Sequence, residues 1–552
     1  MLEISVEQDA GLVLPDGVRL SADVYTPASP GRYPTLLMRL PYGATVASTP
    51  VYRHPAWYAA QGFCVVVQDV RGTWRSGGSF YPRRDEQTDT LASIEWAAGL
   101  PRSNGRVGMY GFSFQGAVQL QAAAAAPPAL RAIAPAQTTA DFYARWHYEG
   151  GVPLQMGAVG WGLQLAWIAA LHDQRDADAL RFRRLQLNLP RLLVMPPALP
   201  EEVADVVWIR DWLTHETNDA YWQQQTVLPA PRVPSLWIAG WYDGFLGGTL
   251  DSRAAAVADC TEHSLIVGPW QHQPWSRHVG ARDFGPQAVS SIDAAQVAFF
   301  KHYLCDEGPA RPTQAQVFVT GLDQWRTLAH WPPPSTSLRL YLESDGDATS
   351  ERESGALASV AAAAATFDTF TSEPLVPVPV TGGRGLGPID QRPVERLRAV
   401  AVYTSDVLEQ DLWVIGANAA LTIACSGSDC DWIVRLCDVE PNGRSLDITQ
   451  GALRSRYRHG LDACQPLVPF SQTEVHVETW PCAHLFKAGH RLRVQVAGSS
   501  FPYYGRNPGA CVPTAELPAH AYNAVSQFVL HGPGQQSWID LQVAELDDSG
   551  GE

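Results

Sequence analysis

The stretch Gly105-Arg-Val-Gly-Met-Tyr-Gly-Phe-Ser-Phe-Gln-Gly116, centred on Ser113, decides the fold. The apolar run Val107 to Tyr110 predicts a strand, Gly111 to Gly116 a sharp turn, and the small-residue pattern Ala117 to Ala126 a helix. A turn of this kind pushes a serine hydroxyl out at the carboxyl end of a sheet strand. It needs glycines, because a side chain at the flanking positions would collide with the neighbouring helix or strand. Ser113 is therefore a candidate nucleophile. The spacing is G-x-S-x-x-G rather than the commoner G-x-S-x-G, and a serine serving only as a helix N-cap would read the same way, so the assignment depends on partners elsewhere in the chain.

The flanking runs say what kind of sheet carries this strand. Tyr33-Pro-Thr-Leu-Leu-Met-Arg-Leu40, Phe63-Cys-Val-Val-Val-Gln-Asp69, Leu130-Arg-Ala-Ile-Ala134, Pro234-Ser-Leu-Trp-Ile-Ala-Gly240 and Ser264-Leu-Ile-Val-Gly268 are short and continuously apolar, as strands buried on both faces of a parallel sheet are. Helical patterns such as Asp85 to Ala98 and Asp293 to Leu304 lie between them, so the expected class is an α/β sheet with right-handed crossovers. Val18 to Tyr25 instead alternates at period two and predicts an antiparallel, half-exposed strand.

The alternation breaks between Asp141 and Pro231, where Trp161, Leu165 and Ile168, then Leu185 and Leu189, recur at helical spacing. A helical insertion there would sit over the carboxyl ends of the strands, where ligands bind in open α/β sheets. Past Trp331-Pro-Pro-Pro the pattern becomes many short alternating strands separated by Gly, Pro, Asn and Asp turns, which predicts a β-sandwich. The expected organisation is a core over 1–140 and 232–332, a helical cap over 141–231 and a sandwich over 333–552. Residues 350–366, rich in alanine and serine, read as a surface loop.

Composition narrows the functional classes. The 552 residues are 46% hydrophobic and 17% charged, as in an ordinary globular protein. The 40 Lys and Arg against 56 Asp and Glu leave a formal net charge of −16, which argues against nucleic-acid or anionic-membrane partners, since phosphate binding needs a basic face. Lys301 and Lys487 are the only lysines, so a Ser-Lys mechanism is short of candidates. The nine cysteines are scattered with no C-x-x-C pair and predict buried free thiols, with a bridge among the last six left open. The segment Met1 to Asp9 has neither a basic n-region nor an apolar h-region, which makes a cytoplasmic enzyme the expectation. Gly151 to Leu171 is uncharged over a length that would cross a bilayer, but Pro153, Gln155, Gln164 and its glycines favour a buried helix near the site.

A serine hydroxyl is a weak nucleophile until a base takes its proton, and the base needs a carboxylate to hold its tautomer. Asp243, in Gly240-Trp-Tyr-Asp-Gly-Phe245, and His272, in Gly268-Pro-Trp-Gln-His272, both lie just past predicted strands, on the sheet edge that carries Ser113 and in the order serine, acid, histidine. His263 and His278 compete as bases, Asp69 and Asp251 as acids; Asp69, which precedes the serine, reads as a structural residue paired with an arginine.

Together with Leu40-Pro-Tyr-Gly43, Asp69-Val-Arg-Gly72, Ala140-Asp-Phe-Tyr143, Asp390-Gln-Arg-Pro-Val-Glu395, Tyr403-Thr-Ser405 and Gly489-His-Arg-Leu-Arg493, these motifs resemble the cocaine-esterase-like family of serine hydrolases over nearly the whole chain. That family also includes α-amino-acid ester hydrolases, glutaryl-type acylases and X-prolyl dipeptidyl peptidases. The resemblance implies an α/β-hydrolase core, a helical cap and a C-terminal jelly roll. It also implies an oxyanion hole from the Tyr42 hydroxyl and the Phe114 backbone N–H, and an aromatic acyl pocket at Phe245, Trp146 or His147, and Trp161.

Phe114 replaces the family's usual tyrosine. The α-amino-ester hydrolases place an acidic ammonium anchor at the position that aligns near His147, in Arg145-Trp-His-Tyr-Glu149; no carboxylate stands at that position, although Glu149 is close, so an obligatory free α-amino substrate is not expected. The expected activity is cleavage of a small carboxylic ester through an acyl-enzyme, with no metal or organic cofactor. Amide cleavage, acyl transfer and, remotely, a non-catalytic binding role are the alternatives, and homo-oligomerisation is left open.

Overall fold

The computed structural model describes residues 3–227, 230–257, 262–310, 313–350 and 354–546. Ten strands form one sheet: β1 (Ile4–Val13), β2 (Arg19–Pro27), β3 (Tyr33–Leu40), β4 (Cys64–Asp69), β5 (Ser103–Phe112), β6 (Leu130–Ala136), β7 (Ser235–Gly240), β8 (His263–Gly268), β9 (Ala315–Val319) and β10 (Gln324–Leu328). Their spatial order is β1-β2-β4-β3-β5-β6-β7-β8-β9-β10. Strands β3 to β9 run parallel, with antiparallel β1, β2 and β10 at the edges.

The continuous apolar runs are buried on both faces, as the sequence requires. Cys64 to Asp69, Ser235 to Gly240 and His263 to Gly268 have no exposed residue. Helices Glu86–Gly99, Phe114–Ala124, Leu246–Val257 and Ile292–Cys305 cover the sheet. Strand order reverses at β3, since β4 lies on one side of it and β5 on the other. Such a switch point opens a crevice at the carboxyl ends of the two diverging strands; Tyr42 follows β3 and Ser113 follows β5.

Between residues 141 and 227 the chain is mostly helical: a π-helical turn Tyr143–His147, a short antiparallel pair Tyr148–Glu149 and Val152–Pro153, then helices Gln155–His172, Asp176–Leu187, Leu189–Leu192, Val207–Thr214 and Ala220–Gln223. The uncharged segment becomes the helix Gln155–His172, packed through Val159, Leu163, Leu165 and Ile168. Among the described residues no helix is long and apolar enough to cross a membrane.

The C-terminal strands form one mostly antiparallel ladder of twelve that curls on itself. Residues far apart in its strand order, Leu342, Leu421, Trp432, Val434 and Val494, share a single core. One expectation is corrected here: Gly355–Ala358, inside the stretch 350–366 read as a loop, is a strand. It pairs with Ser335–Glu343 on one side and, in parallel, with Val400–Thr404 on the other. Its composition hides it, because the backbones approach so closely that a Cβ at Gly355 would lie 2.1 Å from the Val402 carbonyl oxygen. Residues 351–353 of that stretch lie outside the described residues, as does Cys260. The eight described cysteines are free thiols.

The C-terminal layer grips the cap directly. Arg454 N–H donates to the Gly150 carbonyl (2.8 Å) and Leu199 N–H to the Ala515 carbonyl (2.8 Å). Tyr457 Oη donates to the Glu216 carbonyl (2.9 Å), and Arg506 Nη1 to the Leu193 carbonyl (3.0 Å).

Candidate active site

Ser113 sits between β5 and the helix Phe114–Ala124 with φ 60° and ψ −126°, a conformation that costs a non-glycine residue about 1–3 kcal/mol. Several contacts hold it there. Ser113 N–H donates to the Ala136 carbonyl (2.9 Å) on β6, and Gly116 N–H returns to the Ser113 carbonyl (2.9 Å). The Gln115 side chain accepts from Phe112 N–H (3.2 Å). Gln119 donates to the Gly111 carbonyl (3.0 Å) and accepts from Ala134 N–H (3.0 Å). The glycines are steric necessities: a Cβ at Gly116 would stand 2.7 Å from Thr138 Cβ, and at Gly111, where φ is 140°, 2.5 Å from Gln115 Cβ.

Asp243 ends the turn after β7 and is wholly buried. Its Oδ2 accepts from Phe245 N–H (2.9 Å), and its Oδ1 lies 2.7 Å from His272 Nδ1 in the turn after β8. The His272 side chain keeps 30% of its surface exposed. Its ring packs between Phe112, next to the serine in the chain, and Phe245, each with centroids 5.2 Å away.

The competing residues are engaged elsewhere. His278 is exposed beside Asp283 (3.3 Å), and Asp251 pairs with Arg145 (2.7 Å) at the surface. His263 is buried at the start of β8. Asp69 accepts from Ala44 N–H (2.6 Å) and stands 3.7 Å from Arg75 Nε; burial pushes its carboxyl up to about 6. It fixes the loop that follows Tyr42.

Tyr42 lies in the loop after β3, and its Oη accepts a 3.0 Å hydrogen bond from Trp161 Nε1. Burial pushes its phenol up to about 12, opposed by that bond and by the charge of Arg83. Phe114 is the first residue of its helix, where a backbone N–H has no intrahelical acceptor. The aromatic residues expected at an acyl pocket gather here. Trp146 lies 4.6 Å from Phe245 and 5.4 Å from Trp161, and Phe114 lies 6.4 Å from Trp161. His147 packs more closely on Trp212 (4.3 Å) and Trp222 (5.1 Å) than on Trp146 or Trp161 (6.4 Å each).

Sequence reasoning missed Arg83. It is 2% exposed, and its guanidinium lies over the rings of Phe142 (4.3 Å), Trp146 (4.8 Å), Trp161 and Trp212 (5.6 Å each). Its Nη2 bonds His147 Nε2 at 3.1 Å. Burial, then the Arg83 charge, holds the His147 imidazole well below the usual histidine range, so it is neutral and accepts that bond. Glu149, the carboxylate nearest the absent ammonium anchor, is buried and taken by Arg384 and by Tyr504 Oη (2.8 Å). Among the described residues no cluster of three or more His, Cys, Asp or Glu side chains is placed to hold a metal ion.

Two family models match the chain: "X-Pro dipeptidyl-peptidase (S15 family)" over residues 16–274, and "X-Pro dipeptidyl-peptidase C-terminal non-catalytic domain" over 307–540. A cocaine esterase from Rhodococcus sp. (strain MB1 Bresler) is 33% identical over 568 residues, covering 98% of each chain. The chain belongs to the cocaine esterase-like family of hydrolases.

Solved structures agree on the fold of this cocaine esterase-like protein. An α-amino acid ester hydrolase superposes with a TM-score of 0.81 at 26% identity, covering 98% of this chain and 97% of that one. An aminopeptidase from a marine sediment archaeon, Thaumarchaeota archaeon, superposes with a TM-score of 0.83 at 24% identity, over 99% and 97% of the two chains. The architecture is thus the α/β-hydrolase core with a C-terminal sheet domain, and the activity is that of a hydrolase.

Proposed function

We propose that this hydrolase cleaves a carboxylic ester through a covalent acyl-enzyme. The observation that carries the reading is the His272–Asp243 pair (2.7 Å) on the sheet edge where Ser113 is held at φ 60°. Ser113 Oγ attacks the acyl carbonyl while His272 takes its proton, and Asp243 holds the imidazole and offsets the charge it gains. Tyr42 O–H and Phe114 N–H donate to the oxyanion of the tetrahedral intermediate. The proton on His272 passes to the departing alkoxide. The same histidine then activates water, which releases the acid and restores the serine.

Trp146, Trp161 and Phe245 give the acyl group an apolar, aromatic wall suited to an uncharged ring. The resemblance to a cocaine esterase supports an ester substrate, and the engagement of Glu149 by Arg384 and Tyr504 supports a substrate without a free α-amino group. The match to an X-Pro dipeptidyl-peptidase family model supports a second reading, amide cleavage on the same machinery.

A fluorophosphonate tests the reading, because it reacts with activated serines whatever their natural substrate. Intact mass and peptide mapping should find one adduct, on Ser113, that is lost in His272→Ala. A folded protein that takes no label there overturns the mechanism. Initial rates on matched esters and anilides then separate esterase from amidase, and an added nucleophile reveals acyl transfer.

A further inference from the structure

Trp161 stands on the cap helix Gln155–His172, yet its indole nitrogen is 3.0 Å from Oη of Tyr42, in the core. An indole N–H donates and cannot accept. In this bond Tyr42 Oη is therefore the acceptor, and the phenol's single hydrogen must point elsewhere. A phenol free to rotate would spend part of its time donating to water or to a neighbour. One whose lone pair is already taken has its O–H reserved for a second acceptor.

The indole is itself held. Its ring stacks on Trp212 at 5.2 Å with planes 4° apart. It also lies 5.6 Å from the Arg83 guanidinium carbon. Among the described residues Arg83 has no ion-pair partner, and its Nε and Nη1 have no hydrogen-bond partner, so its charge is compensated by aromatic faces. A buried cation close to an indole draws on its π electrons and polarises the N–H, which strengthens the bond that the N–H donates.

We propose that Trp161, backed by Arg83, is a positioning residue for Tyr42: its N–H occupies the phenol's lone pair and directs the phenol's hydrogen to the oxyanion. The proposal rests on Tyr42 being an oxyanion donor, as read above. It gives Trp161 a role beyond lining the acyl wall, and it makes the cap a contributor to transition-state stabilisation. Burial of the phenol, which keeps Tyr42 protonated, agrees with a donor whose proton must stay in place.

The test is a double-mutant cycle on an acetyl ester, whose acyl group is too small to draw on the aromatic wall. Tyr42→Phe should lower kcat by roughly 10² to 10³, as loss of one oxyanion donor does. Trp161→Phe should lower kcat about tenfold, the worth of one hydrogen bond, with KM within about twofold of the parent. In the double variant the Trp161 change should cost nothing more, because the bond it served is gone. Trp161→benzothienylalanine keeps the ring's shape and lacks only the N–H, and should reproduce the kcat loss with an unchanged melting temperature.

Multiplicative losses in the double variant, or a Trp161 effect confined to KM, would overturn the positioning role. So would a full loss at Tyr42→Phe with none at either Trp161 variant. A Tyr42→Phe enzyme with the parent's kcat would instead overturn the reading of Tyr42 itself.

Discussion

Nδ1 of His272 faces Oδ1 of Asp243 at 2.7 Å across 29 residues of sequence, and a second oxygen of the same carboxylate is fixed by Phe245 N–H. The carboxylate thereby favours the tautomer with the proton on Nδ1, which leaves the Nε2 lone pair free for the base role proposed above. Asp243→Asn can keep the geometry while presenting an amide N–H to the ring, which favours the wrong tautomer. The expected loss in kcat is about 10⁴ at neutral pH, with the melting temperature nearly unchanged. Steady-state kinetics and calorimetry on one preparation check both halves; a loss below about tenfold would remove Asp243 from the mechanism.

The buried pair Glu149–Arg384 joins the cap to the C-terminal layer, each side chain about one-twentieth exposed. Removing one partner strands the other, so Glu149→Leu should destabilise by about 3–5 kcal/mol. Adding Arg384→Met should recover most of that cost, since both charges are then gone. Denaturant titrations of the single and double variants decide the matter, and equal stability of the two would show that the pair is not coupled.

Asp69 gives a pH signature. Its carboxyl titrates near 6 in the folded protein, mainly because it is buried, against about 3.9 in an unfolded chain. Folding therefore takes up a proton between these values, and stability falls as pH rises through about 4 to 6. Asp69→Asn keeps the acceptor for Ala44 N–H and removes the titration. Its stability relative to the parent should improve by on the order of 2 kcal/mol from pH 4 to 7. A difference that is flat, or that moves toward the parent, would mean that Asp69 is ionised in the folded protein throughout.

At Gly116 an added Cβ would meet Thr138 Cβ and Cγ2 at 2.7 Å and the Ala136 carbonyl oxygen at 3.1 Å. Gly116→Ala should cost about 1–3 kcal/mol. Because the displaced helix begins at Phe114, kcat should fall with stability. Thr138→Ser removes the clashing methyl group and should restore part of both; an alanine variant with the parent's kcat would show that the helix start does not set the donor.

How much of this was legible in the sequence follows from how local each signal is. Ser113, Asp243 and His272 each follow a run of apolar residues that only a doubly covered parallel strand tolerates, so the edge that gathers them could be read off the pattern. Gly355–Ala358 escaped because Gly-Ala-Leu-Ala offers only one large apolar side chain, Leu357, and the strand exists only through its two neighbours. Arg83 escaped for a different reason. In Tyr81-Pro-Arg-Arg-Asp85 it looks like any loop arginine, with Asp85 and Glu86 close by in sequence as ordinary surface partners. Its partners Phe142, Trp146, Trp161 and Trp212 come from the insertion, at separations that no spacing rule reports. The bond between Trp161 and Tyr42, 119 residues apart, is invisible on the same ground.

The grip of the C-terminal layer on the insertion at Gly150, Leu193, Leu199 and Glu216, made by Arg454 at a strand end and by Arg506, Ala515 and Tyr457 outside the strands, has a consequence for modularity. The insertion is fastened at points spread along its length, so freeing it as a lid would break all of these bonds, and the layer that fastens it is not a detachable appendage. A chain cut after residue 332 would lose those fastenings and the partner of Glu149, and with them the support of the wall that carries Trp146 and Trp161. Removal of the C-terminal layer is therefore expected to abolish activity, and, on the proposed acyl wall, exchanging acyl preference between relatives requires exchanging the insertion together with the C-terminal surface that holds it.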